Sequence, residues 1–298
     1  MGKLKSKPSQ LNSRSDRRSR KVVYTPKSQL EHPVELFKAM GRDLLACREL
    51  ARQLMVRDIS AQYRQSFLGI FWAFVPPIIT ALGFTFASNA KIVNVGVTDL
   101  PYPAYVMFSM ALWQTFTEAL NAPIQAVTGA KQMLARINFP REALILAKLG
   151  EIFFNFAIKL ILIVGLFIWF QMPVSWTVIL APVALIHLVI LGTFIGLLLA
   201  PLGVLYNDIT KGLTLIIGLW LFLTPVVYPV PRGGGLAAIV QLNPVTPLLV
   251  TTRELATTGV VSNPYGFWLA SLIAIVGLLL AWLIYRLAMP FVVERISS

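Results

Sequence analysis

The chain has 298 residues, of which 56% are hydrophobic and only 13% charged, and its mean hydropathy is +0.71. Soluble domains carry about 25% charged residues, so these values exclude an ordinary soluble fold and make a bilayer the main solvent. A net charge of +13 raises nucleic acid as a partner, but 15 of the 26 Lys and Arg precede residue 67, where a juxtamembrane segment facing anionic lipid is the better reading.

Residues 1–31 are polar, Ser-rich and basic, with too little apolar surface to offset chain entropy, and are expected to form a disordered cytoplasmic tail. The first 66 residues hold no apolar run with a small-residue cleavage site, so an internal span is expected to direct insertion. Over residues 32–66, Phe37, Met40, Leu44, Cys47, Ala51 and Leu54 recur at intervals of three and four, interleaved with Arg42, Arg48, Arg52 and Arg57. That pattern predicts a basic amphipathic helix lying along the cytoplasmic surface. Cys47 is the one cysteine, which excludes an intrachain disulfide, and His32 and His187 are the two histidines, so no metal site is expected. His187 reads as a core histidine.

Residues 67–298 are expected to be an all-α, polytopic domain of six transmembrane helices: Phe67–Ser88, Tyr102–Ala126, Ala143–Phe170, Trp176–Leu205, Leu213–Val230 and Tyr265–Leu287, each of a length suited to a ~30 Å hydrocarbon core. Pro201 and Gly203 are expected to break the fourth. Ten Lys and Arg lie in the flanks 48–66, 127–142, 206–212 and 286–298, against Lys91, Arg232 and Arg253 in the alternate loops. The positive-inside rule then makes both termini cytoplasmic.

Within this frame several stretches carry chemistry. "RDISAQYRQSFLGIFWAFVPPI", residues 57–78, is either a plain basic flank or a headgroup-level site in which Arg57, Tyr63 and Arg64 meet a phosphate. "AKQMLARINFPREALILAK", residues 130–148, is either a positive-inside turn or a short helix offering Met133, Leu134 and Ile137 to a partner's groove. Lys148, Glu151, Asn155 and Lys159 fall within about 80° of one another on the third span, and such a stripe must face protein or water. Glu118 is the expected partner of Lys148 and Glu151. The stripe can be an ion-pair network, a conduit lining or a proton relay. Of the aromatics Phe71, Trp72, Phe74, Tyr102, Tyr105, Phe108, Trp113 and Phe116, Tyr102 and Tyr105 read as an interfacial belt. Trp113 and Phe116 serve either helix packing or stacking on sugar rings.

The external segment 231–264 contains "LNPVTPLLVTTRELATTG" at 242–259. Thr246 as N-cap, Pro247 at the first helical position and Gly259 as a stop predict a helix over 247–257 of about 16 Å, too short to cross a bilayer. Absences matter equally: no G-x-x-x-x-G-K-[ST], H-E-x-x-H, G-x-S-x-G or Cys–His pairing occurs, so the chain is not expected to hydrolyse ATP or to be an enzyme.

"RDISAQYRQSFLGIFW", "INFPREALILA", "YNDIT" and "LNPVTPLLVTTRELATTG", in that order, resemble the polysaccharide permeases of the ABC type-2 exporters, which move O-antigen, capsule or teichoic acid. Asn207 stands where that pattern leads one to expect a basic residue. The resemblance implies a homodimeric half-transporter in the inner membrane, with a separate ATPase subunit carrying the ATP and Mg, and a lipid-linked glycan as substrate. It makes residues 32–66 an interface helix, with Arg57, Tyr63 and Arg64 beside the lipid phosphate. Loop 128–142, with Met133, Leu134, Arg136, Ile137, Pro140 and Arg141, becomes the ATPase-coupling element. Trp113, Phe116, Glu118, Lys148, Glu151, Asn155 and Lys159 become channel lining. Asn243, Pro244, Thr246, Pro247, Arg253 and Glu254 become part of a re-entrant pair of gate helices before the last span. A drug exporter of the same broad family and a polytopic membrane transferase are the alternatives, the latter disfavoured because no D-x-D occurs.

Overall fold

The structure is a computed structural model describing residues 33–64, 69–92, 96–136, 139–231 and 233–297. The expected disordered tail and Ile137 lie outside the described residues, as do the side chains of Tyr63 and Arg136. The described residues of 33–40 and of 41–297 belong to separate compact units. Of the first, residues 33–40 are described, as the opening turns of a helix. All that follows concerns the second.

The described residues are predominantly helical, with no strand among them. In chain order the helices are α1 (Pro33–Ala46), α2 (Arg48–Arg64), α3 (Val75–Asn89), α4 (Tyr102–Gly129), α5 (Lys131–Arg136), α6 (Glu142–Trp169), α7 (Ala181–Leu205), α8 (Asn207–Phe222), α9 (Gly235–Leu242), α10 (Val245–Ala256) and α11 (Pro264–Ser297). Short 3₁₀ turns, Gly69–Ala73 and Trp176–Leu180, precede α3 and α7.

Among the described residues, three segments are long and apolar enough to cross a membrane: Glu142–Trp169, Trp176–Leu205 and Pro264–Ile296; a fourth results if α9 and α10, bent by 82° at their junction, count as one. The remaining expected spans are shorter or more polar than the apolar runs suggested. The first is a 3₁₀ turn followed by a helix of 15 residues. The fifth is α8, which opens at Asn207 and stops at Phe222 after 16 residues. The second, α4, has 28 residues, or about 42 Å, but it is largely buried by other helices. A helix sheathed in protein need not be apolar all round, and α4 carries Gln114, Glu118, Asn121 and Gln125. The break expected at Pro201 and Gly203 is absent, since α7 continues through both to Leu205.

The core is the packing of α4 and α11 on α7. Glycine makes the α4–α7 approach possible. A Cβ at Gly192 would stand 2.7 Å from the Phe116 carbonyl oxygen, one at Gly203 would stand 2.8 Å from Ile124 Cγ2, and one at Gly196 would overlap the Leu120 carbonyl. Small residues four apart let membrane helices meet backbone to backbone, where dispersion replaces the missing hydrophobic drive. Gly196→Ala is accordingly expected to destabilise the protein by about 1–3 kcal/mol, because the obstructing atom is backbone of an interior helix and cannot swing aside. Thermal melting in detergent checks this, and an unchanged melting point would mean the helices are further apart.

Toward the start of the chain the single helix expected over 32–66 is two helices, α1 and α2. Cys47, Ala51 and Leu54 are buried, α2 packs on α6, and Arg42, Arg48, Arg52 and Arg57 are exposed. Burial pushes the Cys47 thiol above its usual range, with the nearby Glu142 and Asp43 carboxylates adding to the effect, so it is an inert packing residue.

Candidate functional site

A polar groove runs along α4 and α6. One part, about 150 Å³, is lined by Thr117, Glu118, Asn121 and Gln125 of α4 and by Lys148, Glu151 and Asn155 of α6. The next, about 400 Å³, is lined by Gln114, Glu118, Asn155 and Lys159, with Gln62 of α2 and Trp72 of the first 3₁₀ turn. Glu118 and Asn155 belong to both, so the two parts are continuous. Gln114 to Gln125 and Lys148 to Lys159 each advance by 11 positions, about 16 Å of helix, and the lining residues descend along α4 as they ascend along α6. The helices are therefore antiparallel here.

That geometry corrects the expected ion pair. Glu118 binds Lys159, whose side chain is 2% exposed, and not Lys148. Lys148 instead binds Glu151 and stands 3.5 Å from Asp58 of α2. The physical reason is side-chain direction. Helical side chains lean toward the N-terminus of their own helix. On antiparallel neighbours, Glu118 and Lys159 lean toward each other, whereas Glu118 and Lys148 lean apart.

Trp113 and Phe116 do not line this groove. Both are buried, and they form an aromatic cluster with Trp220 of α8, with centroids 6.5 and 5.4 Å from that ring. At 100° per residue, Phe116 lies 200° from Glu118 around α4, which puts it on the opposite side. Reading by sequence distance alone missed this, and missed Gln114, Asn121 and Gln125, whose spacings of seven and four share one helical face with Glu118.

A second polar cluster surrounds α10, all 12 residues of which are buried. The helix begins at Val245, one residue before the expected cap, and Thr246 caps nothing: its hydroxyl is buried without a hydrogen-bond partner. The N-cap is Pro244, whose side chain caps nothing, and the polar side chain at this start is that of Asn243, one residue earlier. Its side-chain oxygen accepts from the Val245 amide (3.1 Å) and from Trp220 Nε1 (3.0 Å), while its amide nitrogen donates to the Leu223 carbonyl and the Thr224 hydroxyl. The bend at Asn243–Pro244 is thus tied to the end of α8. α10 stops at Ala256, and Gly259, at φ +77°, donates its amide to the Glu254 carbonyl, a return that a left-handed residue permits.

Arg253 and Glu254 are 4% and 9% exposed, and each is partnered. The Arg253 guanidinium carbon lies 4.1 Å from the Tyr105 ring centroid, and its Nη1 donates to the Ser109 hydroxyl at 2.7 Å. Glu254 accepts from the Ser262 amide at 2.9 Å. Tyr105 is therefore no belt residue: it is 1% exposed, and its hydroxyl donates to the turn at Pro225 (3.2 Å) and Tyr228 (2.8 Å). Tyr102 donates to Val227 in the same turn. His187 is half-buried, with Nδ1 2.7 Å from the Val183 carbonyl oxygen and its ring edge-on to Phe267 and Trp268.

On the basic flank, Arg57 is bound through Nε and Nη2 to Asp58, with its side chain 62% exposed, and Arg64 is exposed on the same helix. Arg57, Asp58, Lys148 and Glu151 form one charge chain from α2 to the groove. In the loop ahead of α6, Leu134 is turned into the protein's own core and Met133 is half-buried against it, so they are not offered outward as expected. Lys131, Gln132 and Pro140 are exposed. Burial holds Arg141 below the ordinary arginine range, while Tyr285 and Glu142 act against this.

A helical chain with candidate membrane spans and an ionisable groove in its flank belongs to the class of membrane transport subunits, since buried charges are retained in such helices where something polar must pass. The sequence pattern of the ABC-2 type transporter family matches residues 49–256, and the chain belongs to that family. It is similar to the O-antigen export system permease protein RfbA of Myxococcus xanthus, at 25% identity over 221 residues that cover 72% of this chain and 82% of the relative. It is also similar to the protein of that name from Klebsiella pneumoniae, at 23% identity over 214 residues, covering 70% and 80%.

Proposed function

We propose that the chain is the transmembrane subunit of an ATP-driven exporter that moves a lipid-linked polysaccharide across the cytoplasmic membrane. The groove carries this reading. A glycan chain presents hydroxyls continuously, and a continuous line of amides and paired charges from Gln125 to Gln114 suits a sliding polymer better than a closed apolar pocket suits it. The export role in the names of the two relatives supports the same substrate class.

In this reading two copies face one another, so that the grooves close into a conduit. α3, α4 and α8 complete six spans with both termini cytoplasmic. A separate ATPase, which supplies ATP and Mg chemistry absent from this chain, docks on the exposed part of the 128–142 loop. Arg57 and Arg64 receive the lipid phosphate, for which Asp58 holds the Arg57 guanidinium in place. α9 and α10 form a re-entrant external gate, their irregular junction tolerated because protein covers it.

Deleting this gene alone tests the function. The expected result is loss of one glycan from the cell surface, with its lipid-linked form retained inside and surface display restored by the intact gene. An unchanged surface glycan profile, accompanied by sensitivity to a small toxic compound, would replace the reading with that of a drug exporter.

A further inference from the structure

Near the end of α11 a charge cluster lies outside both the groove and the gate. Arg286 Nη2 stands 2.7 Å from Asp43 Oδ2 of α1, and Nη1 stands 3.5 Å from Glu142 Oε1, the first residue of α6. The two engagements are unequal. The first is a hydrogen bond, whereas Nη1 is buried and makes none. Arg286 and Glu142 side chains are 12% and 11% exposed, so water does little to relieve the unmade bond. A buried donor left unpaired is costly, and a charge-assisted bond forms at about 2.7–2.9 Å. An approach of Glu142 by less than about 1 Å would satisfy it. Glu142 directly follows Pro140–Arg141 in the chain, so any displacement of the loop ahead of α6 moves it directly.

We propose that Arg286 is a positioning residue that links the loop ahead of α6 to the interface helix and to the last helix. Its forked guanidinium holds Asp43 and alternately releases and engages Glu142 as that loop moves. The inference rests on the reading of the 128–142 loop as the ATPase dock. Three elements meet at this one side chain: α1, α6 and α11. The planar fork of arginine can hold two carboxylates at once, which a lysine ammonium on its single stem does not reproduce. Packed junctions of this kind pass on small shifts because they are bistable and do not deform smoothly.

The test uses the full-length chain, with its partner ATPase, in proteoliposomes, and reads glycan exported per ATP hydrolysed. Arg286→Gln is expected to keep ATPase copurification and basal hydrolysis while lowering export per ATP by about 5- to 100-fold, the usual span of a coupling between sites. Arg286→Lys is expected to recover the melting temperature, since one carboxylate regains a cation, but not the export ratio. Recovery of both by lysine would reduce Arg286 to charge neutralisation and overturn the proposal. So would an unchanged ratio in Arg286→Gln while the wild-type chain exports. A wild-type chain that copurifies with no ATPase and exports nothing overturns the parent reading, and this inference with it.

Discussion

Changing Glu118 and Lys159 together is expected to be milder than changing Glu118 alone. Lys159 is 2% exposed and Glu118 34% exposed, so the two single substitutions are unequal. Glu118→Gln strands an ammonium whose side chain is almost wholly buried at the groove wall, which for a buried pair costs about 3–5 kcal/mol. Lys159→Met leaves a carboxylate whose Oε2 is already buried without a partner, but whose side chain is partly exposed at the groove, so its cost is the smaller of the two. Glu118→Gln with Lys159→Met removes both charges, and the cycle is expected to show a coupling of about 1–3 kcal/mol in thermal melting in detergent. Glu118→Gln with Lys148→Met is expected to be additive, because Lys148 is held by Glu151 and Asp58. Additivity in the first cycle would mean that Glu118 and Lys159 do not touch. The folded double variant then separates two roles: full export assigns the pair to structure, and loss of export from a stable protein assigns it to the conduit.

Why the wrong lysine stood out in the sequence is instructive. Lys148, Glu151, Asn155 and Lys159 were legible as one stripe because 100° per residue is a property of any α-helix. Their partner was not, because a depth counted from helix ends ignores the lean of each side chain and the offset introduced by α5. The buried face of α2 followed from its three-and-four spacing. The hidden position of Trp113 and Phe116 was legible too, had their angle from Glu118 been taken in place of their sequence distance. What no periodicity could reveal is partnership between distant segments, such as Arg253 with Tyr105, or Asn243 with the end of α8. A proline pair in "NPVTP" announces a break but does not say which polar side chain ties it down. Thr246 satisfied the usual sequence signature of a cap, but the helix starts at Val245, after Pro244, and the first helical amide is met by Asn243 from outside the helix.

Arg253→Ala is expected to unlock the external mouth. Its guanidinium lies over the Tyr105 ring and donates to Ser109 at a site where both charge and ring are buried. A desolvated cation–π contact contributes about 2 kcal/mol and a hydrogen bond from a charged donor about 1.5–3 kcal/mol. Losing both shifts a closed–open balance by roughly two and a half to three and a half powers of ten, at about 1.4 kcal/mol for each. The measurable result is small-ion leak in reconstituted membranes together with raised basal ATP hydrolysis, while the ATPase still copurifies. Tyr105→Ala should reproduce the leak. Tyr105→Phe should show little of it, because the ring face survives and only the bonds to Pro225 and Tyr228 are lost. Thr246→Val sets the opposite sign: it removes a buried hydroxyl that has no partner, so melting is expected to stay level or rise, where loss of a true cap would lower it by about 1 kcal/mol. If Arg253→Ala lowers the melting temperature without any leak, Arg253 anchors α10 as an ordinary core element, and the segment does not gate.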